Sequence, residues 1–172
     1  MTAFNRILVP VDFSNSSHAA CELATNLATK LDGRVELLHV QEPPAWQGFV
    51  FPELVVNLPN AADASLNELV QTRTDRALRH LVEQLQRAGV TEVHQRLEMG
   101  EPGTVILRLA EEERFDLIVM GTHGRKGFER LVMGSVAERV VRHAPCPVLT
   151  VRVGDDAAPE RGTVIRENGA DA

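Results

Sequence analysis

The chain has 172 residues, 44% of them hydrophobic, and a formal charge of −6. That length suits one domain with a real core, the acidic balance argues against a general nucleic-acid surface, and no run approaches the ~18 apolar residues of a membrane span. Cys21 and Cys146 lie far apart without CxxC spacing and read as reduced thiols, and residues 7–11 are too short for a secretory h-region, so a cytoplasmic protein is expected.

Residues 6–12 (RILVPVD) form a nearly continuous apolar run, as a strand buried on both faces should. Ala20, Leu23, Ala24, Leu27, Ala28 and Leu31 then keep the i, i+3, i+4 spacing of one helix face, and Asp32 with Gly33 supplies a stop. Residues 34–40 read as the second strand. Residues 41–64 combine Pro43, Pro44, Pro52 and Pro59 with Trp46, Phe49, Phe51 and Leu54, too apolar for a plain linker, and read as an insertion serving as a flap or interface. Residues 65–68 (SLNE) have the form of a capping box, and Leu78, Leu81, Val82 and Leu85 carry the second helix to Gly89.

The third strand, residues 91–99, alternates Val93, Gln95, Leu97 and Met99 with His94, Arg96 and Glu98, the pattern of an edge. Glu101 and Pro102 open the third helix, since proline is welcome at the first helical position. Residues 116–121 (DLIVMG) are a second buried run and the fourth strand. A second capping box, residues 135–138 (SVAE), opens the fourth helix to about His143, and residues 147–153 form the last strand. Residues 154–172 have little to bury and read as a disordered tail.

Five strands alternating with four helices specify a parallel sheet with right-handed crossovers, whose ligands sit beyond the carboxyl ends of the strands. The loops leaving the strands therefore matter most. The one after the fourth strand, "GTHGRKGFERLVMGS", places Gly121, Gly124 and Gly127 where tight turns and close approach are needed, and Gly134 with Ser135 at a helix start suited to phosphate. Arg125, Lys126 and Arg130 outnumber Glu129, as at an anion site. The competing reading is a long connection with turn glycines, solvated cations and Ser135 as a plain helix cap. Neither G-x-x-x-x-G-K-[ST] nor G-x-G-x-x-G after the first strand is present, which excludes a Walker loop and a dinucleotide fingerprint. At the exit of the first strand, "VPVDFSNSS" puts Pro10 where the ladder must end and Asp12 at the carboxyl edge, where carboxylates take ribose hydroxyls. Asp12 or Ser14 would equally cap the first helix.

With both motifs in view, the chain resembles the ATP-binding branch of the universal stress proteins. The branch signature G-x2-G-x9-G-[ST] is met by Gly121, Gly124, Gly134 and Ser135, and the likeness extends over roughly residues 4–153, through "ILVPVDFS", "LLHV" and "APCPVLTV". It implies a domain over residues 1–153 with an α/β fold, the adenine nucleotide alpha hydrolase-like sheet of strand order 3-2-1-4-5. It further implies ATP across the ends of strands one and four, with Mg2+ arriving on the triphosphate. By the resemblance, Pro10, Val11 and Asp12 flank adenine and ribose, with Asp12 on the sugar hydroxyls, and Val40 is an adenine wall. Met120 and Gly121 mark the fourth strand's exit, His123 and Gly124 the phosphate loop, and Gly134, Ser135 and Val136 the helix-end phosphate contacts. It also implies a homodimer through residues 148–153, a strand otherwise left as an open edge.

The leading functional reading is an ATP-binding stress-response or regulatory module, with no nucleic acid or membrane partner. An enzyme reading has slow ATP hydrolysis or nucleotidyl transfer with His123 or Lys126 at the phosphates. A third has a nucleotide-free interaction protein working through residues 41–64 and the last strand. His18, His39, His80, His94 and His143 show no metal-ligand spacing and read as structural or surface residues.

Overall fold

A strand that is apolar at every position needs cover on both sides, and two helical layers supply it here. The computed structural model describes residues 4–42, 61–122 and 133–153. The elements run β1 (Arg6–Pro10), α1 (Asn15–Leu31), β2 (Arg34–Gln41), α2 (Ala61–Arg87), β3 (Val93–Met99), α3 (Pro102–Glu112), β4 (Leu117–Gly121), α4 (Ser135–His143) and β5 (Val148–Val151). All strand pairs are parallel, in the order β3-β2-β1-β4-β5 that the resemblance implies. The tail (154–172) and most of the proline-rich segment (43–60) lie outside the described residues.

Period-two alternation sorts each strand's side chains between the layers. On one face Ile7, Val9, Leu37 and Val119 meet Ala20, Ala24 and Ala28 of α1 and Leu78, Leu81 and Leu85 of α2. On the other, Leu8, Leu38 and Ile118 meet Ile106 and Leu109 of α3 and Val140 of α4. Burying each such Leu or Ile stabilises the fold by roughly 1.5–3 kcal/mol. The alanines of α1 let its backbone come close to the sheet, which becomes important at the end of β4.

The helix termini depart in part from expectation. At α1 the Ser14 side chain accepts from the Ser17 N–H, and the helix ends on Asp32 in the left-handed region (φ 53), one residue before the glycine. At α3 the Glu101 carboxylate accepts from the N–H groups of Gly103 (2.9 Å) and Thr104 (2.7 Å), with Pro102 at the first helical position. Neither capping box forms at its expected helix start. The α2 helix already runs from Ala61, because Ala61, Ala62 and Ala64 extend it upstream and leave Ser65 within the helix. The N-cap of α4 is Gly134, which makes no side-chain cap hydrogen bond, and Ser135 is the first helical residue. The cause is tertiary: the Gly134 N–H donates to the Thr122 carbonyl at 2.7 Å and sets the entry one residue early.

The edge position of β3 is as expected, but Met99 is 63% exposed at its carboxyl end rather than packed on an apolar face. Its polar face is braced by ions, with Arg96 Nε 2.6 Å from Glu36 and Nη1 2.7 Å from Glu113. Among the described residues no helix is long and apolar enough to cross a membrane.

Candidate functional site

Strand order reverses at β1, which lies between β2 and β4, so the chain leaves β1 toward one side of the sheet and arrives at β4 from the other. The exits of β1 and β4 thus flank a crevice at their carboxyl ends, the place where parallel sheets take ligands.

Pro10 is the last ladder residue of β1, paired with Leu38. Val11 is committed to the fold: its side chain is buried, its N–H donates to the Leu38 carbonyl at 2.8 Å, and its carbonyl accepts from His39 Nδ1 at 2.7 Å. Asp12 is half-buried, and its Oδ1 accepts from the Ser14 N–H (3.0 Å) and hydroxyl (2.6 Å). It therefore braces the residue that caps α1. Between them Phe13 takes a left-handed conformation, φ 63, and lays its ring 5.0 Å from that of His39.

At the exit of β4, Met120 is buried in the second core cluster, and Val40, Val136 and Met133 pack partly buried against the same cluster. Gly121 lies directly against α1. A Cβ there would stand 2.6 Å from Ser16 Oγ and 2.9 Å from the Ser16 backbone carbonyl carbon, closer than real side chains come. Helix packing demands a glycine here, in addition to the turn and ligand approach for which the sequence singled it out. Thr122, which that reasoning missed, is buried; its N–H (2.9 Å) and Oγ1 (3.3 Å) reach the Val151 carbonyl, while its own carbonyl holds Gly134. One residue ties the end of β5 to the head of α4. Its only signal in the sequence is a small polar residue directly after a buried strand.

The structure thus brings Pro10, Val11 and Asp12 to one side of the crevice and Gly121, with Gly134 tied to its neighbour Thr122, to the other. Ser135 is exposed on the first turn of α4. His123 and Gly124, with Arg125, Lys126 and Arg130, lie outside the described residues. Among the described residues no side chain caps the early amides of α4, and the positive end of its helix dipole lies at the exit of β4. No three His, Cys, Asp or Glu side chains among the described residues are grouped to hold a metal ion.

A cavity of about 350 Å³ lies at the opposite, amino end of the strands, lined by Arg6, Arg34, Glu36, Glu92, His94 and Arg96 among others. Arg6 and Arg96 there are paired with Glu113 and Glu36. It is a salt-bridged seam, and we place the candidate site at the carboxyl end. Neither thiol is activated: burial pushes Cys21 up to about 12 and Cys146 up to about 11.

Comparison with known proteins agrees with this architecture. A putative universal stress protein from Staphylococcus haemolyticus is 34% identical over 167 residues, 95% of either chain. The solved universal stress protein from Lactobacillus plantarum superposes with a TM-score of 0.72 at 29% identity, over 87% of this chain and 98% of that one. A universal stress protein solved in complex with cAMP matches at 25% identity with a TM-score of 0.64, over 87% of this chain and 97% of that one. The adenine nucleotide alpha hydrolase-like fold is common to this chain and these structures. The sequence profile of the universal stress protein family matches residues 3–152, so the sheet, its crevice and the two exits just described are those of a family domain, and the chain belongs to the universal stress protein family.

Proposed function

We propose that the chain binds ATP, with Mg2+ carried on the triphosphate, and acts as a nucleotide-dependent stress-response or regulatory module. The observation that carries this reading is the start of α4: a helix of nine residues, uncapped by any side chain at Gly134 and tethered at the exit of β4. Anionic groups are stabilised at such a terminus. Asp12 supplies an acceptor for ribose hydroxyls across the crevice, Val40 an apolar wall for adenine, and Gly134, Ser135 and Val136 the phosphate contacts. The family member in complex with cAMP supports an adenine nucleotide as the ligand class. His123 and Gly124 would complete the phosphate loop.

Binding is favoured over turnover because phosphoryl hydrolysis needs a group that positions water and strong charge stabilisation of the leaving group, and beyond Arg125, Lys126 and His123 the sequence offers no such set. The decisive experiment is calorimetric titration of nucleotide-stripped protein with Mg-ATP, beside the Gly124→Val/Ser135→Ala variant. Micromolar binding lost in the variant supports the reading; no binding by the intact protein refutes it.

We further propose that the module is a homodimer joined through residues 148–153. The Pro147 and Val151 carbonyls accept from Ile118 and Thr122 of the β4 side, so by alternation Val148 and Thr150 turn their backbone groups outward. Sedimentation velocity of Thr150→Pro, which lacks the outward donor, should show a monomer where the intact chain shows a dimer.

A further inference from the structure

We infer that His39 is a positioning residue for the nucleotide site: its imidazole grips the Val11 carbonyl and so sets where the next residue, Asp12, presents its carboxylate. This rests on the reading of the site given above. The face of β2 that packs on α1 and α2 runs Val35, Leu37, His39, and the first two are wholly buried aliphatics. Period-two alternation asks for a third aliphatic at position 39. A histidine stands there instead, 9% exposed, and a polar group buried where an apolar one would do is the informative exception.

Its bonding explains it. The β1–β2 register ends at Pro10 and Leu38, and the Val11 N–H to the Leu38 carbonyl is the last backbone bond of that edge. Beyond it the β1 chain turns toward α1, and no strand partner remains for the Val11 carbonyl. His39 Nδ1 meets that carbonyl at 2.7 Å. A carbonyl can only accept, so Nδ1 carries the proton, and the side chain extends the ladder by one rung past the end of the strand.

The same ring holds the far side of the turn. Phe13 packs on it at 5.0 Å between centroids, with the planes inclined by 40°. Phe13 is also the residue at φ 63, a conformation that a bulky side chain keeps only when its surroundings fix it. The imidazole therefore contacts both neighbours of Asp12, and it is itself anchored through β2, where His39 pairs with Leu97 of β3.

The test uses two variants of the full chain. His39→Leu keeps apolar bulk and removes the donor; His39→Asn places an amide donor close to where Nδ1 sits. In nucleotide-free protein, 15N–1H spectra should show that His39→Leu shifts the amides of residues 11–14 while leaving those of α3 and β5 in place. Its affinity for Mg-ATP should fall roughly threefold to tenfold, the worth of one neutral hydrogen bond, and His39→Asn should recover most of that loss. Wild-type affinity in His39→Leu, or no recovery in His39→Asn, overturns the inference. The 15N shifts of the wild-type imidazole give a reading independent of any variant's folding: a protonated Nδ1 agrees with the inference and an unprotonated one ends it. If the wild-type chain binds no ATP, the nucleotide reading itself fails, and the imidazole shifts and the amides of residues 11–14 still decide whether His39 holds the turn.

Discussion

Gly121→Ala separates two reasons for keeping a glycine at the end of β4. Built onto the present backbone, the new methyl would lie 2.6 Å from Ser16 Oγ, 2.8 Å from its Cβ and 2.9 Å from its carbonyl carbon. The hydroxyl can rotate away, but the other two atoms move only with α1. Restoring ordinary contact distance requires the helix to back off by about half an ångström, loosening Ala20 and Ala24 where they touch the sheet. Overpacking of this kind costs about 1–3 kcal/mol. For a domain of this size, at about 2–4 °C per kcal/mol, that corresponds to a fall of roughly 2–12 °C in the Tm of nucleotide-free protein, read by circular dichroism. Combining Gly121→Ala with Ser16→Gly removes two of the three contacts and should restore part of the loss, a coupling of at least ~0.5 kcal/mol in the double-mutant cycle. A Tm within about 1 °C of wild type, together with weakened ATP binding, would refute the packing argument and return this glycine to the ligand.

Asp12→Asn keeps a carbonyl oxygen for the Ser14 N–H while removing the charge, so calorimetry should show about tenfold weaker ATP binding with little change in stability; unchanged affinity would remove Asp12 from the ribose. The Glu101 carboxyl is held below its ordinary value, first by the Thr104 hydroxyl and then by the Thr104 and Gly103 amides and Arg139, against an opposing pull from burial. A carboxyl depressed in the folded state stabilises above its unfolded value, near 4.5, and that contribution is lost as pH falls through the lower folded value. Glu101→Gln, which keeps an acceptor but loses the charge at this half-exposed, screened site, should therefore cost roughly 0.5 kcal/mol in urea unfolding at neutral pH and less at pH ~3, and equal costs at both would contradict the assignment. With Cys21 near 12 and Cys146 near 11, a chromogenic disulfide reagent at pH ~8 should react slowly with the folded protein and at full rate once urea unfolds it. One thiol titrating at full rate in the folded state would show an exposed, activated cysteine.

What the sequence announces and what it conceals divide along the distance between partners. The strands β1 and β4 are legible because burial on both faces writes itself into consecutive residues, and α1 because its alanines and leucines repeat at helical spacing. Glu101 and Pro102 are equally local, and α3 starts where they say. The two Ser-x-x-Glu boxes mislead because a cap is decided by where the chain enters the helix. At α4 that entry is set by Thr122, a partner outside the motif. Strand order came from family resemblance, since alternation fixes only that the sheet is parallel. His39 was read as structural or surface; its partners Val11 and Phe13 lie on another strand's exit, and nothing in the string "LLHV" names them. Gly121 is the same case: a glycine before a glycine-rich loop reads as part of the loop, whereas the atom that forbids a side chain belongs to α1.

The bond between the Gly134 N–H and the Thr122 carbonyl closes the stretch between them at its neck. That bond and the one from Thr122 to Val151 hold the end of β4, the end of β5 and the head of α4 in one frame. Thr122 is thus the joint between them, bonded to Val151 on one side and to Gly134 at the head of α4 on the other. A change at position 122 would therefore be felt at once by the last strand and by the head of α4, on which the crevice depends.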